Sequence, residues 1–130
     1  MKLAFDTSIL IAVEKKDKKV LSFLKSLSDE RLEVPAISFI VHFEFIEGIK
    51  RKNPKNSKKL LEFLNKFPLL EAGRQTSNIL SDLKTKYDKQ GLSFSLTDFL
   101  IASQAIENGM TLITMDKDFE GIEELKKIII

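Results

Sequence analysis

Four carboxylates stand out because the pattern around each gives little reason for an acid. Asp6 follows directly on the apolar run Leu3-Ala4-Phe5, and Asp116 comes two residues after Met110-Thr111-Leu112-Ile113-Thr114. Asp98 precedes Ile101 and Ala102 by one helical turn and Ala105 by two, so it shares their inward face. Glu44 follows Ile40 and Val41 by one turn in a segment rich in Phe and Ile, with Gly48 a turn beyond. An ionised carboxylate near a core is costly unless it is paired with a cation or binds a metal. No Lys or Arg stands one turn from Glu44 or Asp98, so local ion pairs do not explain them. A hard divalent cation bridging Asp6, Glu44, Asp98 and Asp116 would explain all four together. An all-oxygen ligand set favours Mg²⁺ or Mn²⁺, and Mg²⁺ characteristically binds through one or two carboxylates plus a substrate phosphate.

Each acid also has a plainer reading. Asp6 suits a loop or cap, Asp98 the first turn of a helix where it answers the dipole, and Glu44 a partly exposed helix face. Asp116 and Asp118 form an Asp-x-Asp turn of the kind that stabilises itself. Gly48 would leave its side of the helix bare for an approaching nucleic acid, or else serve close helix packing or a C-terminal cap. The metal reading gains from placement: all four candidates fall at strand ends or on inward helix faces. Composition removes the competing chemistries. With no Cys and a single His, His42, thiol nucleophiles, Cys-ligated zinc and two-imidazole sites are excluded. A chain without thiols fits a reducing cytosol, and His42 reads as a structural residue.

The elements that must position these acids follow from periodicity. Short apolar runs alternate with segments of helical period, the pattern of an α/β fold with a mainly parallel sheet of four to five strands. Strands are expected at Lys2 to Phe5, Leu32 to Ile37, Pro68 to Glu71, Met110 to Thr114 and Lys127 to Ile130. Helices are expected from near Ile9, with Thr7 or Ser8 as the cap, and from Lys18 to Leu27. Ser38 should cap a helix running to about Ile49, and Pro54 suits the first turn of another running through Phe67. A helix from Arg74 to Lys89 closes at Gly91, and one capped by Ser95, with Asp98 in a box-like position, ends at Gly109. With no repeat and no linker, residues 1–130 read as a single domain.

Taken in order, Phe5-Asp6-Thr7-Ser8, Ser38 with Glu44 and Gly48, Asp98 with Ile101-Ala102 and Ala105, and Thr114-Met115-Asp116 with Asp118-Phe119 resemble the PIN domain nucleases. Within that family the sequence is most similar to the VapC-type toxins of prokaryotic toxin–antitoxin pairs. The resemblance implies a three-layer sandwich of helices around the parallel sheet and metal-dependent endonucleolytic cleavage of RNA phosphodiester bonds. It implies Asp6, Glu44, Asp98 and Asp116 as the pocket acids and Mg²⁺ or Mn²⁺ as cofactor. Thr7, Ser8 and Thr114 would be polar supports and Asp118 an outer acid. It further implies a small antitoxin partner and a homodimer.

The stretch from Lys50 to Lys59 carries six basic residues, Lys50, Arg51, Lys52, Lys55, Lys58 and Lys59, and no acid. Removing those six charges from the net +2 leaves the rest of the chain at −4. The run either seats an RNA backbone or is a solvated helix connection. Base stacking would rest on Phe or Tyr87, since Trp is absent. A receiver domain would want adjacent acids after the first strand, where Thr7 follows Asp6, and a lysine after a late strand, where Met115 follows Thr114. A haloacid-dehalogenase-type phosphatase would want Asp at position 8, which is Ser. A catalytically silent PIN-like module binding RNA or protein remains the alternative, although a complete acid set favours catalysis. No apolar run approaches the ~18 residues of a membrane span, and Asp6 interrupts any leader-like start, so a cytoplasmic protein is expected.

Overall fold

The computed structural model describes residues 2–27 and 33–130. The elements run β1 (Leu3–Phe5), α1 (Thr7–Glu14), α2 (Lys18–Ser26), β2 (Ala36–Ser38), α3 (Phe39–Lys52), α4 (Ser57–Leu64), β3 (Leu69–Leu70), α5 (Arg74–Lys89), α6 (Leu96–Glu107), β4 (Thr111–Thr114), a 3₁₀ turn (Lys117–Gly121) and β5 (Lys127–Ile129). All five strands pair in parallel in the order β3-β2-β1-β4-β5. The α/β sheet flanked by helices is the expected fold, parallel throughout.

The order carries functional weight. The chain builds outward from β1 through β2 to β3, then returns to lay β4 on the other side of β1. In open parallel sheets the crevice outside the strand ends at this reversal is where ligands bind. Phe5 is in register with Ile113, so the next residues along the two strands, Asp6 and Thr114, emerge side by side. Both strands are buried throughout their central residues, with Phe5 against Phe67 on one side. A separate aromatic group of Tyr87, Phe94 and Phe99, with centroids 5.3–6.0 Å apart, joins α5 to the start of α6.

Several boundaries differ from those expected, each for a local reason. The first helix begins at Thr7 because Asp6 itself is the cap, its carboxylate accepting from Ile9 N. β2 starts at Ala36, after Pro35, which has no N–H to give a ladder; Leu32 of the expected strand lies outside the described residues. The helix capped by Ser38 extends to Lys52 and stops at Asn53, whose φ of 44° is left-handed. Pro54 is not in the first turn of α4: that helix begins at Ser57, whose N–H is taken by the Pro54 carbonyl at 3.2 Å. Gly91 and Gly109 do adopt the left-handed conformation that ends α5 and α6.

One fully buried polar residue ties these elements together. The Gln104 side chain on α6 accepts from Phe39 N at 3.1 Å and donates to the Leu70 carbonyl at 2.9 Å. The first N–H of a helix has no intrahelical partner, and Gln104 supplies one for α3, fixing that helix against α6.

Candidate active site

Asp6 is the centre of a hydrogen-bonded knot at the carboxyl ends of β1 and β4. Its Oδ1 accepts from Ile9 N at 3.0 Å and from Ser8 Oγ at 2.6 Å, and its Oδ2 accepts from the Thr114 hydroxyl. Thr114 Oγ1 in turn accepts from Asp116 N at 2.9 Å, and Ser8 Oγ from Met115 N at 3.3 Å. Ser8 and Thr114, the polar residues suggested by the sequence, thus each bridge the two strand ends. Asp6 is only 4% exposed and Thr114 fully buried.

Asp116 caps the 3₁₀ turn by accepting from Asp118 N at 2.9 Å. That tight turn folds Asp118 back, and one carboxylate oxygen from each of Asp98, Asp116 and Asp118 comes within 4.8 Å of the others. Asp98 arrives from the first turn of α6, where its N–H is held by Ser95 Oγ at 3.0 Å. Asp118, expected as an outer acid, is exposed and shares this three-carboxylate group with Asp98 and Asp116. The Asp-x-Asp spacing carries the signal for it, since Asp116 caps the turn through the Asp118 N–H and keeps the two acids together.

Glu44 stands apart from these three carboxylates. It is half-buried on α3 and accepts from Thr7 Oγ1 at 2.7 Å, so Thr7 supports Glu44 and not Asp6. His42, also half-buried on α3, lines a shallow apolar depression with Phe39 and Phe43 and is not one of the converging groups.

The electrostatics are those of an acid cluster without its counter-charge. Burial pushes the Asp6 carboxyl above its ordinary value, outweighing three hydrogen bonds that favour the anion, and the Asp116 charge pushes it further. Asp98 is likewise raised, first by burial and then by Asp116, with Asp118 and Asp6 adding to the push. Among the described residues every ion pair lies elsewhere. An all-carboxylate set, crowded and lacking a cation of the chain, fits a hard divalent ion in donor type and charge.

The six basic residues are exposed and belong largely to helices: Lys50, Arg51 and Lys52 form the last turn of α3, and Lys58 and Lys59 the first turn of α4, with Lys55 between. Two of them, Arg51 and Lys52, line a groove of about 560 Å³ between α1, α3 and α4 that begins at Thr7 and Glu44. Tyr87, 1% exposed, is closed off from any base, whereas Phe39 and Phe43 are 40% and 53% exposed.

A family model for the PIN domain matches residues 3–125. The chain belongs to the PIN domain family. Its relatives include VapC ribonucleases. It is 33% identical over 93 residues to Ribonuclease VapC2 of Rickettsia felis, covering 69% of both chains. To Ribonuclease VapC1 of the same organism it is 29% identical, over all of this chain and 97% of that one. The crystal structure of VapBC2 from Rickettsia felis, bound to a DNA fragment from their promoter, matches with a TM-score of 0.83 at 25% identity, covering 100% of this chain and 99% of that one. This PIN domain protein is accordingly a relative of the VapC ribonucleases. No helix among the described residues is long and apolar enough to cross a membrane.

Proposed function

We infer that this protein is the ribonuclease toxin of a VapBC-type toxin–antitoxin pair, a single PIN domain over residues 1–130 that cuts RNA in the cytoplasm with Mg²⁺ or Mn²⁺. The observation that carries this is the convergence of Asp98, Asp116 and Asp118 beside buried Asp6, at the strand reversal, in a chain related to VapC ribonucleases. Asp6, Asp98 and Asp116, joined by Asp118, would hold the cation, and Glu44 would complete the rim. When bound, such a cation supplies positive charge at the scissile phosphate and acidifies water. The chain's own contribution is preorganisation. Thr114 and Ser8 fix the Asp6 carboxylate and lock the β4 end to β1, so the acids keep their spacing while substrate arrives. Thr7 holds Glu44 at the mouth of the groove. An antitoxin would bind over this acidic centre, and a homodimer is the proposed assembly.

Cleavage of a single-stranded RNA tests the reading. The protein should cut with Mg²⁺ or Mn²⁺ and stop in EDTA, recovering when the ion is restored. Cutting that continues in EDTA removes the metal from the mechanism; RNA binding without any cutting in Mg²⁺ and Mn²⁺ identifies a silent binding module. The basic run makes an independent prediction. Neutralising Lys50, Arg51 and Lys52 together should weaken RNA binding and reduce the slope of log affinity against log salt by about 2, the effect of roughly three lost contacts to a single strand. An unchanged slope would remove the run from the RNA path.

A further inference from the structure

Gly48 lies inside α3, where glycine is the poorest residue short of proline, and nothing in the packing requires it. A Cβ built there meets nothing within 4 Å, so the residue does not serve close helix contact. It also precedes the end of α3 by a full turn and is not a cap. The space that a side chain would fill belongs to the groove between α1, α3 and α4.

Glu44, Gly48 and Lys52 occupy successive turns of one helix face, and all three line that groove. The stripe therefore begins at an acid tied to Thr7, next to Asp6, leaves a gap one side chain wide, and ends in the basic run. The apolar part of the lining comes from Ile11, Ile40 and Leu60, with the half-exposed ring of Phe43. Two of the lining acids are already engaged, Glu44 by Thr7 and Glu47 by Arg51 at 3.1 Å, while Glu14 stands on the α1 wall. Of the six cations between Lys50 and Lys59, Arg51 and Lys52 line this groove, and Lys15 stands beside Glu14 on the α1 wall. A volume of about 560 Å³ is in the range of small-ligand sites. An apolar slot with a bare glycine, with Arg51 and Lys52 at one end and Glu44 beside Thr7 at the other, matches one nucleotide: a flat base and an anionic phosphate.

We propose that this groove is a nucleotide subsite, in which an unpaired nucleotide flanking the scissile bond lays its base over Gly48 against Phe43 and directs its phosphate to Arg51 and Lys52. The proposal rests on the ribonuclease reading and adds a contact to one unstacked base beside the cut. A long side chain at position 48 would fill this passage.

The test uses a short single-stranded RNA whose cut position has been mapped with the parent protein. Gly48→Leu should raise KM about tenfold, the scale of one lost base–side-chain contact, with a melting temperature no lower than the parent's because leucine is the better helix former. Phe43→Ala should raise KM in the same way, and Gly48→Ala less. Replacing nucleotides near the cut one at a time by abasic residues should reveal one position where the parent loses about tenfold and Gly48→Leu loses almost nothing. If the parent cuts RNA but both large-effect variants keep its KM, the subsite is wrong and the ribonuclease reading stands. If the parent does not cut at all, both fall. If the variants leave RNA kinetics unchanged but weaken the complex with the antitoxin, the groove docks a protein segment and the proposal is overturned. Should Gly48→Leu fail to fold, Gly48→Ala and the abasic series decide.

Discussion

Asp116→Asn is expected to lower RNA cleavage by about 100-fold or more while raising the melting temperature of the metal-free protein. The two effects have one cause. Asp116 raises both Asp6 and Asp98 by its charge, so the acids repel one another in the folded state until a cation joins them. Asparagine is the same shape and keeps an oxygen to accept from Asp118 N, so the 3₁₀ turn survives. Removing the charge relieves the repulsion, and a rise of roughly 2–5 °C in EDTA is the corresponding scale. Adding Mg²⁺ or Mn²⁺ should stabilise the parent by mass action and the variant much less. Melting curves with and without the ion, beside cleavage rates, check this. A lower melting temperature in EDTA would show that the acids do not strain the fold. Equal stabilisation of both proteins by the ion would place it away from Asp116.

Thr114→Val should carry the largest stability cost of any single-atom change near the site. The hydroxyl is fully buried and works in both directions, donating to Asp6 Oδ2 and accepting from Asp116 N at 2.9 Å. Valine reproduces the shape and removes both bonds, leaving a buried carboxylate oxygen short of a donor and a backbone N–H short of an acceptor. A cost of about 2–4 kcal/mol is expected, a large share of the stability of a domain this size. Thr114→Ser keeps the hydroxyl and loses one methyl group, at about 1 kcal/mol. Activity should divide the same way: valine loses about 10–100-fold through the loosened Asp6, and serine stays close to the parent. Urea midpoints and cleavage rates on the three proteins decide. Matching losses for serine and valine would mean that packing, and not the hydroxyl, holds the strand ends together.

Those two residues also mark the boundary of what can be read without a fold. Ser38 and Ser95 accept from the N–H groups of Val41 and Asp98 as their positions indicate, because a helix cap is a contact across three residues. The glycines that end α5 and α6 are legible for the same reason: left-handed backbone is a property of the residue itself. Asp6 and Asp116 could be singled out because each follows an apolar run directly or within two residues. Asp6 as the cap of α1 was within reach too, but Thr7 and Ser8 compete for that position on residue type alone.

What the sequence determined by itself is the local layer: alternating strands and helices, most of their ends, a set of candidate ligands without thiols and the one strongly basic stretch. Only the tertiary structure decided that β4 returns to lie beside β1. That pairing sets Thr114 against Asp6 across 108 positions of sequence and makes two separate strand ends into one site. Tertiary structure also brought Asp118 level with Asp98 and Asp116, turned Thr7 toward Glu44 across 37 positions, and left open space beside Gly48. The physical reason is one of range. Caps, turns and periodicity depend on bonds within a few residues, whereas strand order and helix packing depend on how the whole chain buries its apolar faces.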